Sequence, residues 1–311
     1  MKNTKLVFMG TPEFTLPILE ALIKDYDVIA VVTQPDKEVG RHKEIMFSPI
    51  KKLALENNIK VIQPTKLRKD YEEIIALNPD IIITCAYGQI IPKVLLDLPE
   101  LGCINVHASL LPKLRGSSPI HRAIIDGHKK TGITIMYMDE HVDTGDIISK
   151  REVEINDDMT TGDLHNVLSA LGKELLLDTL PSIIDGTNDR IKQNDEEATI
   201  TRLLTREDEH INFNQSTVDV YNQIRGLNPY PGAYTLFNNK IMKVYNAKIE
   251  ESNKKDTPGK IINISNEGLS VCTNDGVIII TDIKIEGKKR MFVKDYLNGV
   301  EKGDIIGNIL E

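Results

Sequence analysis

An α/β domain built on a doubly wound parallel sheet, followed by a small β-barrel domain, is the fold class that the sequence predicts. Three observations carry this. From Lys5 to about Gly186, short β-branched apolar runs alternate with amphipathic helical stretches. A polar, weakly periodic stretch follows. The remainder holds short strands punctuated by Gly, Asn and Asp. Alternation of this kind implies right-handed crossovers between parallel strands, and the later strand spacing fits a small barrel. A chain of 311 residues is longer than one compact core usually needs. The expected organisation is a Rossmann-like domain over 1–188, a linker over 189–208 and an OB-like barrel over 209–311.

The elements follow in order. Lys5–Met9 is read as the first strand. Thr11 is placed as the N-cap of the next helix with Pro12 at its first position, although Pro17 leaves open a start one turn later. Asp27–Thr33 is β-branched throughout, as in a strand buried on both faces. Asp80–Cys85 repeats the pattern and Gly102–Val106 offers another strand, with helical patterns at Pro49–Asn57 and Lys69–Leu77. Thr134–Met138 and Asp146–Val153 read as strands, and Thr161–Ile184 as a long helix. Beyond the polar stretch, Thr217–Arg225 looks helical. Strands are expected at Met242–Ile249, Gly259–Ile264, Leu269–Thr273 and Val277–Ile285.

Composition excludes several classes. Hydrophobic residues make up 41% and charged residues 27%, the balance of an ordinary soluble globular protein. Trp is absent and aromatics are only 5%, so base stacking is not the main binding mode. Cys85, Cys103 and Cys272 are scattered and odd in number, which fits a reduced cytoplasm and no disulfide framework. No Cys/His spacing suggests a metal, and no apolar stretch is long enough for a membrane span. The net charge of −8 argues against nucleic acid, but its distribution softens this. Residues 1–208 hold 25 Lys+Arg against 33 Asp+Glu, whereas residues 209–311 hold 13 of each.

Three stretches invite a chemical reading. Gly10-Thr11-Pro12-Glu13-Phe14 follows the first strand but is not the GxGxxG dinucleotide fingerprint, which disfavours a nicotinamide or flavin enzyme. Asn105-Val106-His107-Ala108-Ser109-Leu110-Leu111-Pro112 lies at a strand end. Asn105 and His107 are two apart and share one face, and ligands of open α/β sheets sit outside the carboxyl ends of strands. An amide and an imidazole there can address one carbonyl, or can form a buried polar pair that closes the strand. Asp143, in His141-Val142-Asp143-Thr144-Gly145-Asp146, would reach the same end if the preceding strand were parallel. There it would orient an imidazole; otherwise it belongs to a simple turn.

At these residues the chain resembles the folate-dependent formyltransferases. Asn105-Val106-His107, Ser109-Leu110-Leu111-Pro112, Arg115-Gly116 and Pro119-Ile120 look like their signature, and Asp143-Thr144-Gly145-Asp146 like a second. Four further motifs resemble the branch of that family that acts on methionyl-tRNA. They are Phe8–Phe14, the loop Gln34-Pro35-Asp36-Lys37 with Gly40-Arg41-His42-Lys43, Arg225–Ala233, and Gly287–Met291. Tyr230 departs from the usual Trp, a position expected to hold a packing aromatic.

The resemblance implies transfer of a formyl group from 10-formyltetrahydrofolate to the α-amine of initiator methionyl-tRNA, releasing tetrahydrofolate. No metal is implied, and the enzyme is expected to be a cytoplasmic monomer. Asn105 and protonated His107 would stabilise the developing oxyanion, with Asp143 supporting His107 and ordering a proton-relaying water. Folate would lie against Ser109, Leu110, Leu111, Pro112, Gln89, Ile90, Ile91, Pro92 and Asp139. The tRNA would meet Arg41, His42 and Lys43 of a loop long for a βα connection, and the basic cluster Lys288, Lys289 and Arg290. The nearest alternatives are a formyltransferase acting on glycinamide ribonucleotide or an amino sugar, a formyltetrahydrofolate hydrolase, and a non-catalytic RNA-binding protein on the same fold.

Overall fold

The computed structural model describes residues 4–39, 44–252 and 256–311. It divides into two compact units. The first comprises Met1–Gly116, Thr131–Val153 and His165–Ile200; the second comprises Ser117–Lys130, Glu154–Leu164 and Thr201–Glu311. Neither is continuous in sequence.

The first unit is built on seven strands: β1 Lys5–Gly10, β2 Asp27–Val32, β3 Lys60–Ile62, β4 Ile81–Cys85, β5 Cys103–His107, β6 Lys130–Tyr137 and β7 Ile147–Glu154. Their spatial order is β7-β6-β5-β4-β1-β2-β3. β3, β2, β1, β4 and β5 are parallel neighbours. β1 and β4 are buried along nearly their whole length, as uninterrupted apolar runs require of strands covered on both faces. Val7, Met9, Ala30, Val32 and Ile82 pack with Leu67, Ile74 and Leu95 into one core.

Helices α1 (Leu16–Asp25), α2 (Pro49–Glu56), α3 (Glu72–Leu77) and α4 (Lys93–Leu96) make the crossovers, and the long α6 (Thr161–Ile184) follows β7. Thr11 does not cap α1. A single 3-10 turn, Glu13–Thr15, intervenes, and α1 begins at Leu16 with Pro17 in its first turn. The Thr11 hydroxyl instead donates to the Tyr87 carbonyl at 3.2 Å and accepts from the Gln34 amide at 3.3 Å, tying three strand ends together. Ser48 does cap α2, accepting from the Lys51 amide at 3.1 Å.

The condition set for Asp143, a parallel β6, is not met: β6 runs antiparallel to β5, with His107 opposite Thr134 and Ile104 opposite Tyr137. The segment after β6 therefore starts at the opposite end of the sheet from His107. The predicted linker is also structured. Ile191 bridges Ile147, Ile200–Thr201 pairs with Arg115–Gly116, and Arg206–Glu209 forms a helical turn, α7.

In the second unit, β8 Ala233–Phe237, β9 Lys240–Glu250, β10 Ile261–Ile264, β11 Leu269–Cys272, β12 Val277–Ile285 and β13 Met291–Phe292 form one sheet. Its order is β8-β9-β12-β11-β10, with β13 on β12. The tail closes it. Gly307 and Asn308 bond Ile261 of β10, and Leu310 bonds Gly259. Glu311 exchanges two backbone bonds with Leu236 of β8. The tail thus spans the two edge strands, the opening that a barrel must seal. Helix α8 (Thr217–Gly226) buries Val220 and Ile224 against this sheet, and α5 (Pro119–Ile125) packs on α8. Two arginines explain why early segments join this unit. Arg225 donates to the carbonyls of Asn156 and Met159 at 3.0 and 2.8 Å, and Arg122 donates to Asp208 at 2.5 Å.

Candidate active site

Asn105 and His107 project from one face of β5 near its carboxyl end. Thr84, opposite Asn105 on β4, donates its hydroxyl to Asn105 Oδ1 at 2.9 Å. That bond decides how the amide is turned. Its oxygen is held by Thr84, and its NH2 is directed to Asp143 Oδ1 at a long 3.4 Å. His107 is only 6% exposed. Its Nε2 lies 3.0 Å from the Leu114 carbonyl, a pure acceptor, so Nε2 carries a proton. Nδ1 faces Asp143 Oδ2 at 3.6 Å, within ion-pair reach but too long for a closed hydrogen bond.

Asp143 reaches this place by a route that the sequence reading did not foresee. Because β6 is antiparallel, the segment after it turns back across the face of β5, and Thr84 Oγ1 lies 3.2 Å from the Met138 sulfur on the way. Asp143 itself has φ +54°, a left-handed conformation that Asp tolerates better than most residues. The Gly116 amide donates to Asp143 Oδ2 at 2.7 Å. Gln193 Nε2 donates to the carbonyls of Asp143 and Gly145 at 2.8 Å each, and Arg115 Nε donates to Gln193 Oε1 at 3.0 Å. Gly145 is required sterically, since a Cβ there would stand 1.9 Å from the Tyr137 carbonyl oxygen.

Thr84, Leu114, Gly116 and Gln193 are thus members of the site that sequence reasoning missed. Only Gly116 carried a signal, as part of the Arg115-Gly116 motif; Gln193 lay in the supposed linker. Burial pushes the Cys85 thiol far up and the Cys103 thiol up to about 12, so neither neighbouring cysteine offers a thiolate nucleophile.

The residues expected to meet folate divide into two groups. Ile91 belongs to the core beneath β1 and β4, and Leu111 packs with Met136 and Ile147; both side chains are interior. Ser109 is buried, and its hydroxyl donates to the Lys113 carbonyl at 2.6 Å. Gln89 bridges two loops, accepting from the Leu67 amide at 2.8 Å and donating to the Pro64 carbonyl at 3.1 Å. Asp139 is exposed and accepts from the Thr144 hydroxyl at 2.7 Å, shaping the Asp143 loop. Ile90 is 58% exposed, and Pro92, Leu110 and Pro112 are half-buried. A cleft could therefore use these four side chains, but only the backbone of Ile91 and Leu111.

Arg41, His42 and Lys43 lie outside the described residues. Flanking them, Lys37–Val39 pairs with Glu44–Met46. In the second unit Lys288 and Lys289 are exposed. Arg290 is committed elsewhere: Nη2 meets Asp282 at 2.7 Å, and the guanidinium lies 4.1 Å from the Tyr245 ring centroid. Tyr230, expected to pack, is 79% exposed. Among the described residues no group of three or more His, Cys, Asp or Glu is arranged to hold a metal ion. No helix among them is long and apolar enough to cross a membrane.

Residues 4–180 match the family model for formyl transferase, and residues 203–301 match the model for the formyl transferase C-terminal domain. Methionyl-tRNA formyltransferases of Staphylococcus aureus strains MW2 and N315 are 49% and 48% identical over 301 residues, 96% of this chain and 97% of theirs. Among solved structures, the sugar 3N-formyl transferase WlaRD, determined in the presence of dTDP and 5-N-formyl-THF, superposes with TM-score 0.67. It is 22% identical and is covered over 99% of its length by 92% of this chain. An N-formyltransferase from Helicobacter canadensis, complexed with folinic acid and dTDP-3-aminofucose, gives TM-score 0.66 at 24% identity. There the match covers 89% of this chain and 98% of that one. With both models matched in order and near-half identity to full-length relatives, the chain belongs to the formyl transferase family.

Proposed function

We propose that this enzyme transfers the formyl group of 10-formyltetrahydrofolate to the α-amino group of initiator methionyl-tRNA. The observation that carries the chemistry is the meeting of Asn105, His107 and Asp143, from distant parts of the chain, at one strand end. The acceptor is assigned from the full-length similarity to the Staphylococcus aureus relatives.

Asn105 is the preorganised donor. Thr84 holds its oxygen, so its NH2 is presented outward, with only the long contact to Asp143 to displace. Removing one such donor from an acyl-transfer site typically costs about 3–4 kcal/mol of barrier lowering. His107 supplies a second donor through Nδ1–H, since Nε2–H is taken by Leu114 and no closed bond satisfies Nδ1. Asp143 compensates charge that develops on the ring. Its Oδ1, directed only at Asn105, can also accept a proton from the attacking amine, directly or through water, and pass it to N10 as the formyl C–N10 bond breaks and tetrahydrofolate leaves.

The exposed Ile90 and the half-buried Pro92, Leu110 and Pro112 fit one face of a flat bicyclic pterin, and backbone groups between them fit its polar edge. When bound, the folate supplies the activated formyl group; the protein orients it. Arg41, His42, Lys43, Lys288 and Lys289 are assigned to the tRNA. Arg290 supports that turn through Asp282 and Tyr245 rather than through phosphate. The enzyme is assigned as a cytoplasmic monomer.

The assay offers purified protein 10-formyltetrahydrofolate together with methionyl-tRNA and either glycinamide ribonucleotide or a dTDP-amino sugar. Formyl-methionyl-tRNA is expected as the dominant product. Preferential formylation of either small acceptor would overturn the assignment.

A further inference from the structure

Tyr230 has no packing role, and the catalytic site makes no use of it. Its ring is 79% exposed, yet the backbone that presents it is held firmly. Pro229 and Pro231 fix φ on either side. His121 Nε2 donates to the Tyr230 carbonyl at 3.1 Å, Lys243 Nζ donates to the Pro231 carbonyl, and the Gly232 amide donates to the Leu227 carbonyl at 2.8 Å. Gly232 fits against the next layer of this surface: a Cβ there would meet Tyr245 Cε1 at 3.0 Å and Lys243 Cδ at 3.5 Å. The Arg290 guanidinium lies over that Tyr245 ring. Lys284 stands directly opposite Lys243 across β9 and β12, so the two lysines share a face, and Lys284 is exposed.

This is an aromatic side chain fixed beside lysines on the outer face of a sheet. We propose that Tyr230 is a stacking platform for an unpaired nucleobase of the RNA acceptor, with Lys243 and Lys284 beside it as phosphate partners. It rests on the assignment of a tRNA acceptor and adds a contact that the motif resemblance does not name. An aromatic ring stacks on any base without reading its sequence, and flanking cations hold the backbone that carries the base. The Asp282 carboxylate on this surface is matched by Arg290. Among the described residues neither Lys243 nor Lys284 forms an ion pair; Lys243 is anchored on the Pro231 carbonyl and Lys284 is exposed.

The absence of Trp from the chain makes the test direct. Tyr230→Trp installs a single indole, whose fluorescence is expected to be quenched when initiator tRNA is added, with affinity equal to or tighter than native. Tyr230→Ala is expected to lose about 5- to 100-fold in tRNA affinity, with KM for methionyl-tRNA rising, kcat at saturation near native and affinity for 5-formyltetrahydrofolate unchanged. Tyr230→Phe should restore most of the loss. Native affinity in Tyr230→Ala, or an indole indifferent to bound tRNA, would overturn the platform. Formylation by the native chain is scored in the same preparations. Its absence refutes the tRNA assignment, whereas native formylation with unaltered affinity in Tyr230→Ala refutes the platform alone.

Discussion

Replacing Asp208 by Asn tests how the second unit gathers its scattered segments. Asp208 accepts from Arg122 of α5, from Arg202, and from both the backbone and hydroxyl of Thr205. Its side chain is 10% exposed. Burial opposes its ionisation, but the Thr205 backbone bond, the Arg122 bond and the Thr205 hydroxyl outweigh that and hold the carboxyl down at about 2, from an ordinary 3.8. At about 1.4 kcal/mol per pH unit, the charged form contributes roughly 2–3 kcal/mol to folding. The sign follows from the depressed value: the contribution is complete above the unfolded pKa near 4 and is lost as pH falls toward 2. Asp208→Asn should therefore lower the stability of the second unit by about that amount at pH 7, or on the order of 5–10 °C in Tm. Urea unfolding of both proteins at pH 7 and in steps down to pH 2 measures it. The gap should close as the native carboxylate is protonated. A gap absent at pH 7, or undiminished at pH 2, would refute the role given to Asp208.

Three further outcomes are expected. Asp143→Asn keeps an acceptor for the Gly116 amide but removes the charge facing His107; kcat should fall by roughly 10- to 150-fold, the equivalent of one charge-assisted contact, with folate affinity within a few-fold of native by titration calorimetry. Gly145→Ala forces a methyl group against the Tyr137 carbonyl, so the Asp143 loop must shift; single-turnover formylation should drop by at least tenfold while circular dichroism reports a native fold. Deleting 307–311 removes the segment that joins β10 to β8; the second unit should exchange amide protons faster along both strands and lose a few kcal/mol, which hydrogen exchange resolves.

Much of this was legible in the residues. Short apolar runs located β1, β2, β4 and β5, most plainly in β2 and β4, where the β-branched run is continuous as in strands buried on both faces. The spacing of Asn105 and His107 placed both on one face. What escaped was set by pairing at long range. Lys60–Ile62 is a three-residue edge strand with too little apolar content to announce itself. β6 reads the same in either direction, so nothing local tells that it runs antiparallel or that Asp143 arrives by a returning loop. Arg290 looked like one of three surface cations, because Asp282 becomes its partner only when β13 pairs with β12. Segments 117–130 and 154–164 join the second unit through Arg122 and Arg225, partners 86 and 66–69 residues away. Tyr230 looked like core because aromatic residues usually are; its exposure depends on where Leu227 and Lys243 hold its turn.

The most direct measurement is single-turnover formyl transfer to methionyl-tRNA by the native chain beside Asn105→Ala, His107→Ala and Asp143→Ala, each first shown to be folded and to bind 5-formyltetrahydrofolate. Native transfer with a loss of about a hundredfold or more in both Asn105→Ala and His107→Ala, and a clear loss in Asp143→Ala, is the expected result. Near-native turnover in any of the three would mean that the amide, imidazole and carboxylate meet at this strand end for some purpose other than the reaction.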